Sequence, residues 1–292
     1  MPLQKRLTIT LILLVAVSIA TAQTGVRKGP IVRQVDRILI ESSNPKALFA
    51  FFSADLQLPE AWPLAENQGY MSGALGAGNV NIELYRYIKR GGEPARKPGA
   101  AHFAGLALEP YPLAVALREL KVSGIFHDPP QPTFSTLPDG TKSVAWTIVP
   151  LPSFSKSGMS IFLHEYSQAF LKVDVRRKQL GNRLTLNNGG PLGIQSVREV
   201  VISAANFAQE AAAWQKLLGP QTASGHWSLG TGPSIRVIPG PRDRIQKIVL
   251  RVKSLAQART SLKNKRLLGS TSAKEISINP SNIQGLDISL VE

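Results

Sequence analysis

The sequence predicts an α+β fold in which one strand–helix–strands unit is used four times, and three observations carry that reading. First, the stretch Val35 to Pro59 (VDRILIESSNPKALFAFFSADLQLP) returns at Val197 to Pro220. Val35 meets Val197, Asn44 meets Asn206, Phe52 meets Trp214 and Leu56 meets Leu218 at one constant offset (206 − 44 = 162; 218 − 56 = 162). Second, Leu113, Ala114, Ala116 and Leu120 match Leu255, Ala256, Ala258 and Leu262 at another offset (255 − 113 = 142; 262 − 120 = 142). Third, within the first repeat a short β-rich run gives way at an Asn to apolar residues at helical spacing, the mark of a supersecondary unit used more than once.

In chain order, Val35, Ile38, Leu39 and Ile40 form a strand ended by the turn residues Ser42, Ser43 and Asn44. The Asn44 side chain can accept from an unpaired helix N–H, and Pro45 suits the first helical position because its missing N–H costs nothing there. Leu48, Phe51, Phe52 and Leu56 then make one apolar face. Tyr70 to Leu75 and Val80 to Tyr87 read as a hairpin around Gly76-Ala77-Gly78-Asn79, and Arg90 to Ala100 as an exposed Gly-, Pro- and Arg/Lys-rich linker. His102 to Glu109 is a strand and Pro112 to Leu120 a helix; Asp128 to Pro132 is a Pro-rich loop, and Val144 to Val149 and Met159 to Tyr166 are strands.

Asp174 to Gly193 is basic, then Asn/Gly-rich, and reads as an interdomain linker with partial order. The second half repeats the plan tersely. An Asn206-capped helix runs to Leu218, with short strands around Trp227 and at Ser234 to Ile238. Then come a strand at Ile245 to Val252, a helix at Leu255 to Lys263, and closing strands at Glu275 to Ile278 and Leu286 to Val291. Modules therefore begin near Val35, His102, Val197 and Ile245, paired into domains over residues 31–170 and 194–292 with a linker at 171–193.

Residues 1–22 read as a secretory signal peptide: Lys5 and Arg6 precede the apolar run Leu7 to Ala20, and Ala20-Thr21-Ala22 is a small-x-small cleavage site before Gln23. The apolar run is shorter than the roughly 20 residues of a membrane span, so the expectation is a secreted or periplasmic chain with no stable span after cleavage. Cysteine is absent, which removes disulfides, thiol catalysis, Cys-ligated metals and a lipid-bearing Cys. The formal charge is +15, and 15 − 2 = 13 once Lys5 and Arg6 are removed. The basic residues are scattered and accompany no nucleic-acid motif, so a solvated basic surface is the expectation and nucleic acid is not an expected partner. No phosphate loop, nucleophile elbow or HExxH helix is present.

The run VDRILIE…NPKALFAFFSADLQLP followed by VNIELYRY resembles the opening module of the vicinal oxygen chelate superfamily, the glyoxalase and bleomycin-resistance fold. The resemblance covers nearly the whole mature chain and implies four βαβββ modules, paired into two glyoxalase-like domains whose curved mixed sheets form cups. It implies lyase, isomerase, dioxygenase or ligand-sequestering activity, so fold alone does not choose the function. In this superfamily the cup holds a divalent metal that polarises a pair of substrate oxygens. Carried over by position, Glu83 in NIEL matches an acidic ligand, His102 opens the second module and Glu165 lies in its last strand. This set could hold Zn, Fe or Mn in the first domain, with Glu83 and Glu165 as the catalytic carboxylates.

The usual first-strand His, however, is Arg37, which has no lone pair to give a metal. In the second half Glu199 takes that position, Arg236 the position of the acid, Gln246 opens the last module and Asp287 lies in its last strand. Two readings therefore stand. One is an enzyme with a metal at Glu83, His102 and Glu165. The other is a metal-free protein that binds or sequesters a small anionic or aromatic molecule near Arg37, Arg236, Glu199 and Tyr85, with Arg37–Glu83 and Glu199–Arg236 as ion pairs of reversed polarity. His127 reads as a surface residue and His226 as packing or cup lining; Tyr85, Tyr87, Trp62 and Trp146 could line an apolar pocket, with core packing the default. Oligomeric state is not legible.

Overall fold

The computed structural model describes residues 31–67, 69–88, 100–136 and 139–292. The expected signal peptide and almost all of the 90–100 linker lie outside the described residues.

The first half runs β1 (Val32–Ser42), α1 (Pro45–Ala50) with a π-helical turn over Phe51–Asp55, β2 (Glu60–Asn67), β3 (Tyr70–Gly76) and β4 (Asn81–Tyr87). It repeats as β5 (Ala101–Pro110), α2 (Leu113–Val122), β6 (Gln131–Thr136), β7 (Lys142–Pro150) and β8 (Ser160–Tyr166). These make one eight-stranded sheet, β2-β3-β4-β1-β5-β8-β7-β6. The leading strands β1 and β5 lie antiparallel at its centre, and β4 and β8 flank them in parallel. After α3 (Val173–Leu186) come β9 (Ile194–Ala204), α4 (Phe207–Leu218), β10 (His226–Trp227), β11 (Ser234–Pro239), β12 (Arg244–Val252), α5 (Leu255–Asn264), β13 (Leu268–Thr271), β14 (Ile276–Ile278) and β15 (Ile288–Val291). The second sheet, β10-β11-β9-β12-β15-β14-β13, repeats the arrangement with one strand fewer. Both mixed sheets curl into cups, as the α+β reading expects.

The repeat is visible in atomic detail. β1 and β9 share their bounds at the sequence offset (194 − 32 = 162; 204 − 42 = 162). Asn44 accepts from the Ala47 N–H and Asn206 from the Gln209 N–H, each at 3.2 Å, so both are the expected N-caps. Phe52 and Trp214 are each 1% exposed, on matching faces of their helices. On the convex side of the first sheet Ile38, Ile40, Leu106 and Leu108 pack under Leu48, Phe52 and Leu56, leaving the concave side free for other side chains.

One apolar core runs through both halves. Phe154 of the first half meets Trp214 of the second edge-on at 5.2 Å between ring centroids. Asn79, in the β3–β4 turn, both donates to the Val197 carbonyl and accepts from the Val197 N–H, each at 3.0 Å. A side-chain amide thus copies a strand edge and ties the halves together.

Four elements differ from the sequence reading. Residues 171–193, read as a linker, contain the fourteen-residue helix α3. Only Leu180 and Leu184 of this helix are fully buried, against β2, β3 and the main core, so it lacks the broad apolar stripe that signals a helix in sequence. β2 contains Pro63 and β6 contains Pro132; both are outermost strands, where a missing N–H breaks no ladder. β6 also takes up the end of the Pro-rich loop read at Asp128 to Pro132. The short β13 packs beside α5 and carries no alternating pattern long enough to read.

Candidate functional site

The central strand β1 carries a β-bulge that sets the site. Val35 pairs with Leu108 and Arg37 with Ala107, so Asp36 is the extra residue. A bulge turns two consecutive side chains toward one face, and here Asp36 and Arg37 both reach the concave side. β5 offers Gly105 and Ala107 opposite Leu39 and Arg37, alternating with the core residues Leu106 and Leu108. With so little side chain on β5, the cup keeps a cavity of about 660 Å³ between β1, β2, β3, β4, β7, β8 and α3. Its walls are aromatic (Trp62, Tyr70, Trp146, Phe162, Tyr166 and Phe170), its floor carries Asp36, Arg37, Glu83 and His164, and Arg176 and Arg177 of α3 close one side.

Arg37 is the centre of the floor. Its Nη1 lies 3.2 Å from Glu83 Oε2 and its Nε 3.3 Å from Asp36 Oδ2. Its guanidinium carbon stands 5.7 Å from the Trp62 ring centroid and 5.9 Å from that of Tyr166. Burial disfavours its charge, but Glu83, Tyr166 and Asp36 outweigh that and hold it protonated more firmly than usual. Ser72 Oγ donates to the other Glu83 oxygen at 3.1 Å.

Behind this pair, Arg177 of α3 reaches Asp36 Oδ1 at 3.4 Å and Glu109 Oε2 at 2.8 Å, while Arg33 reaches Glu109 at 2.6 Å and Asp174 at 2.7 Å. Arg176 donates to the Ala61 carbonyl. The helix is therefore fastened over the cup by its arginines. Burial pushes the Asp36 carboxyl above its usual range, against the pull of Arg37 and Arg177.

His164 is 2% exposed, lies 4.4 Å from the Tyr166 ring edge-on, and has its Nδ1 3.9 Å from Asp36 Oδ2. Burial and the nearby Arg37 push its pKa well below 6.5, so it is neutral at neutral pH. Among the described residues, buried His164 Nδ1, Asp36 Oδ2 and Arg37 Nε find no hydrogen-bond partner; Asp36 and Arg37 are sequence neighbours whose charges lie close without the alignment of a hydrogen bond. Burial likewise raises the Tyr166 phenol above its ordinary value.

No known family model and no curated protein sequence matches the chain. Solved structures do. The 2,3-dioxygenase LapB from Pseudomonas sp. KL28 aligns with a TM-score of 0.55 at 12% identity over 90% of this chain and 92% of its own. The Mn(II)-bound glyoxalase from Novosphingobium aromaticivorans aligns at 0.51 and 14% identity over 89% and 82%. Homoprotocatechuate 2,3-dioxygenase from Brevibacterium fuscum, solved in complex with 3,4-dihydroxyphenylacetate, aligns at 0.52 and 10% identity over 91% and 82%. The chain shares the fold of these dioxygenases and this glyoxalase, consistent with the resemblance to the vicinal oxygen chelate superfamily.

Within this cup the expected metal set Glu83, His102 and Glu165 does not come together. Glu83 is on the floor, but His102 lies farther along β5, cross-strand from Glu41 and with its Nε2 3.9 Å from Glu41 Oε2. Glu165 points to the convex side, where it accepts from the Leu113 N–H at 2.7 Å and caps α2. Glu292 does the same for Leu255 at the start of α5, at 2.6 Å, so this cap belongs to the repeat rather than to a catalytic set. The cup-facing residue is His164, one position earlier. Tyr85 shares the face of Glu83 but lies beyond the cavity, edge-on to Tyr87 at 5.6 Å.

Among the described residues no group of three or more His, Cys, Asp or Glu is placed to hold a metal ion. Asp36, Glu83 and His164 are the nearest to one, and Arg37 stands among them as a permanent cation. That donor set does not fit a divalent ion.

The second cup carries the expected reversed pair. Arg236 Nη2 lies 2.7 Å from Glu199 Oε2, and His226 Nε2 lies 3.5 Å from Glu199 Oε1. The bulge recurs: Glu199 pairs with Val249 and Val197 with Leu250, leaving Arg198 extra (198 − 36 = 162). A bulge on β12 between Ile245 and Lys247 skips Gln246. The polar contacts here are made by Lys247, with Glu275 at 2.7 Å and Ser289 Oγ at 3.3 Å, rather than by Gln246 and Asp287. Arg236 is 41% exposed, against 11% for Arg37.

Proposed function

We propose that this is an exported small-molecule-binding protein whose first cup takes its ligand without a metal ion. The observation that carries the reading is the guanidinium of Arg37, 3.2 Å from Glu83 and 3.3 Å from Asp36 at the floor of an aromatic-walled cavity. A divalent ion about 4 Å from that guanidinium would meet a repulsion of about 8 kcal/mol at an effective dielectric constant near 20. The same carboxylates cannot serve both cations. The aromatic walls favour a flat ligand, and the few polar groups at the floor orient it, the usual division of labour in a small-molecule site. Export rests on the basic start, apolar run and Ala20-Thr21-Ala22 of the N-terminal segment.

The test is metal analysis together with binding. Protein purified without chelators should hold well under one equivalent of Mn, Fe or Zn. A screen of small aromatic fragments by ligand-observed NMR should give hits that chelator leaves unchanged. Ile148→Phe, which fills the cavity from β7, should abolish them. Stoichiometric metal that is lost on Glu83→Gln would overturn the reading.

A further inference from the structure

We infer that the first cup takes a planar aromatic carboxylate, with its ring among the aromatic walls and its carboxylate on Arg176 of α3. This rests on the metal-free binding reading and adds the charge of the ligand and the group that meets it. The charged side chains lining the cavity are Arg37, Arg176 and Arg177 against Asp36 and Glu83 (3 − 2 = +1). His164 leaves that sum unchanged, since burial keeps it neutral.

The surplus falls on one residue. Arg37 is answered by Glu83 at 3.2 Å and Asp36 at 3.3 Å, and Arg177 by Glu109 at 2.8 Å and Asp36 at 3.4 Å. Among the described residues Arg176 meets no carboxylate; its partner is the carbonyl of Ala61, the neighbour of Trp62 on β2. That bond uses one N–H of a guanidinium fork whose remaining donors suit a carboxylate. An anion set on the floor would instead meet two carboxylates around the single guanidinium of Arg37, so its place is at α3. A cationic ligand finds both lining carboxylates already paired, and Arg37 already stands over the Trp62 and Tyr166 rings where a cation would bind. A neutral ring keeps the stacking but leaves Arg176 without a counter-ion. The formal charge of the whole chain, +15, draws anions toward it as well.

Three probes on one bicyclic scaffold test this by isothermal titration calorimetry at neutral pH: naphthoate, naphthamide and naphthylmethylammonium. Naphthoate should bind the wild-type protein about ten-fold more tightly than the amide, with the ammonium weakest. Added salt should weaken naphthoate and leave the amide nearly unchanged. Arg176→Gln, which can still donate to the Ala61 carbonyl, should bring naphthoate to within about two-fold of the amide while the amide binds as before. Arg176→Lys keeps the charge and should keep the preference for naphthoate, so it serves even if Arg176→Gln loosens α3. Lys178→Gln removes one charge from an exposed position of the same helix, outside the cavity lining, and should change neither affinity. Naphthamide or the ammonium binding the wild type as tightly as naphthoate would overturn the carboxylate inference and leave metal-free binding standing. Equal losses of naphthoate affinity in Arg176→Gln and Lys178→Gln would do the same. Failure of all three probes to bind, with the wild type folded, would overturn both.

Discussion

The repeated ion pair gives a prediction whose size follows from exposure. In the first cup Arg37 is 11% and Glu83 13% exposed; in the second Arg236 is 41% and Glu199 11% exposed. Glu83→Gln removes the charge that holds Arg37 but keeps an acceptor of similar shape. At 3.2 Å and an effective dielectric constant of about 20 the lost attraction is about 5 kcal/mol. Asp36, 3.3 Å from Arg37, and the Trp62 and Tyr166 rings retain part of the stabilisation. The net loss should then be about 3 kcal/mol, the lower edge of what breaking a buried pair costs. Glu199→Gln should cost about 1 kcal/mol, because a half-exposed Arg236 returns to water.

Urea denaturation followed by circular dichroism at neutral pH measures both, with m unchanged. Equal losses, or less than about 1 kcal/mol for Glu83→Gln, would refute the claim that burial of the cation decides the worth of the pair. The swap Arg37→Glu with Glu83→Arg should recover little of the loss. It would set a new carboxylate beside Asp36, whereas the second half has Arg198 at that bulge position.

Three further outcomes are expected. Phe52→Ala and Trp214→Ala should each cost about 3–5 kcal/mol, as for other buried aromatics; a loss under about 1 kcal/mol for either would break the equivalence of the two helices. His164 has a folded-state pKa well below its usual 6.5, so its contribution is full above that value and is lost as pH falls below it. The wild type should thus lose up to about 1.4 kcal/mol per pH unit from this residue in that window. Asp36, raised above 3.8, acts in the opposite sense, losing stability as pH rises through its folded value. The difference profile against His164→Gln isolates the histidine, and parallel profiles would refute its assignment. Finally, N-terminal sequencing of exported protein should begin at Gln23; material beginning at Met1 would show the segment is retained.

What the amino-acid sequence determined by itself is what short-range chemistry writes in local patterns. Asn44 and Asn206 cap their helices because capping needs only a side chain and an N–H three residues on. The offset that joins Val35 to Val197 joins Arg37 to Glu199 (199 − 37 = 162), and the resemblance puts Glu83 and Arg236 at the facing places, so both ion pairs were legible in the sequence. The choice of His164 over Glu165 was legible in principle too. In SIFLHEY the core residues Ile161 and Leu163 share a face with Glu165, and strict alternation sends His164 to the other side.

Tertiary structure decided the rest. The bulge at Asp36 is a mismatch between β1 and β5 that neither strand reveals alone, and a one-residue slip exchanges the two faces of a strand. Helix α3 was invisible because two buried leucines suffice once Arg176 and Arg177 bind groups distant in sequence. The ion pairs behind the floor arise the same way, Arg33 meeting Asp174 and Asp36 meeting Arg177 across more than one hundred residues of chain (174 − 33 = 141; 177 − 36 = 141). Caps and repeats are local, whereas strand registers and long-range ion pairs depend on partners that only the folded chain brings together.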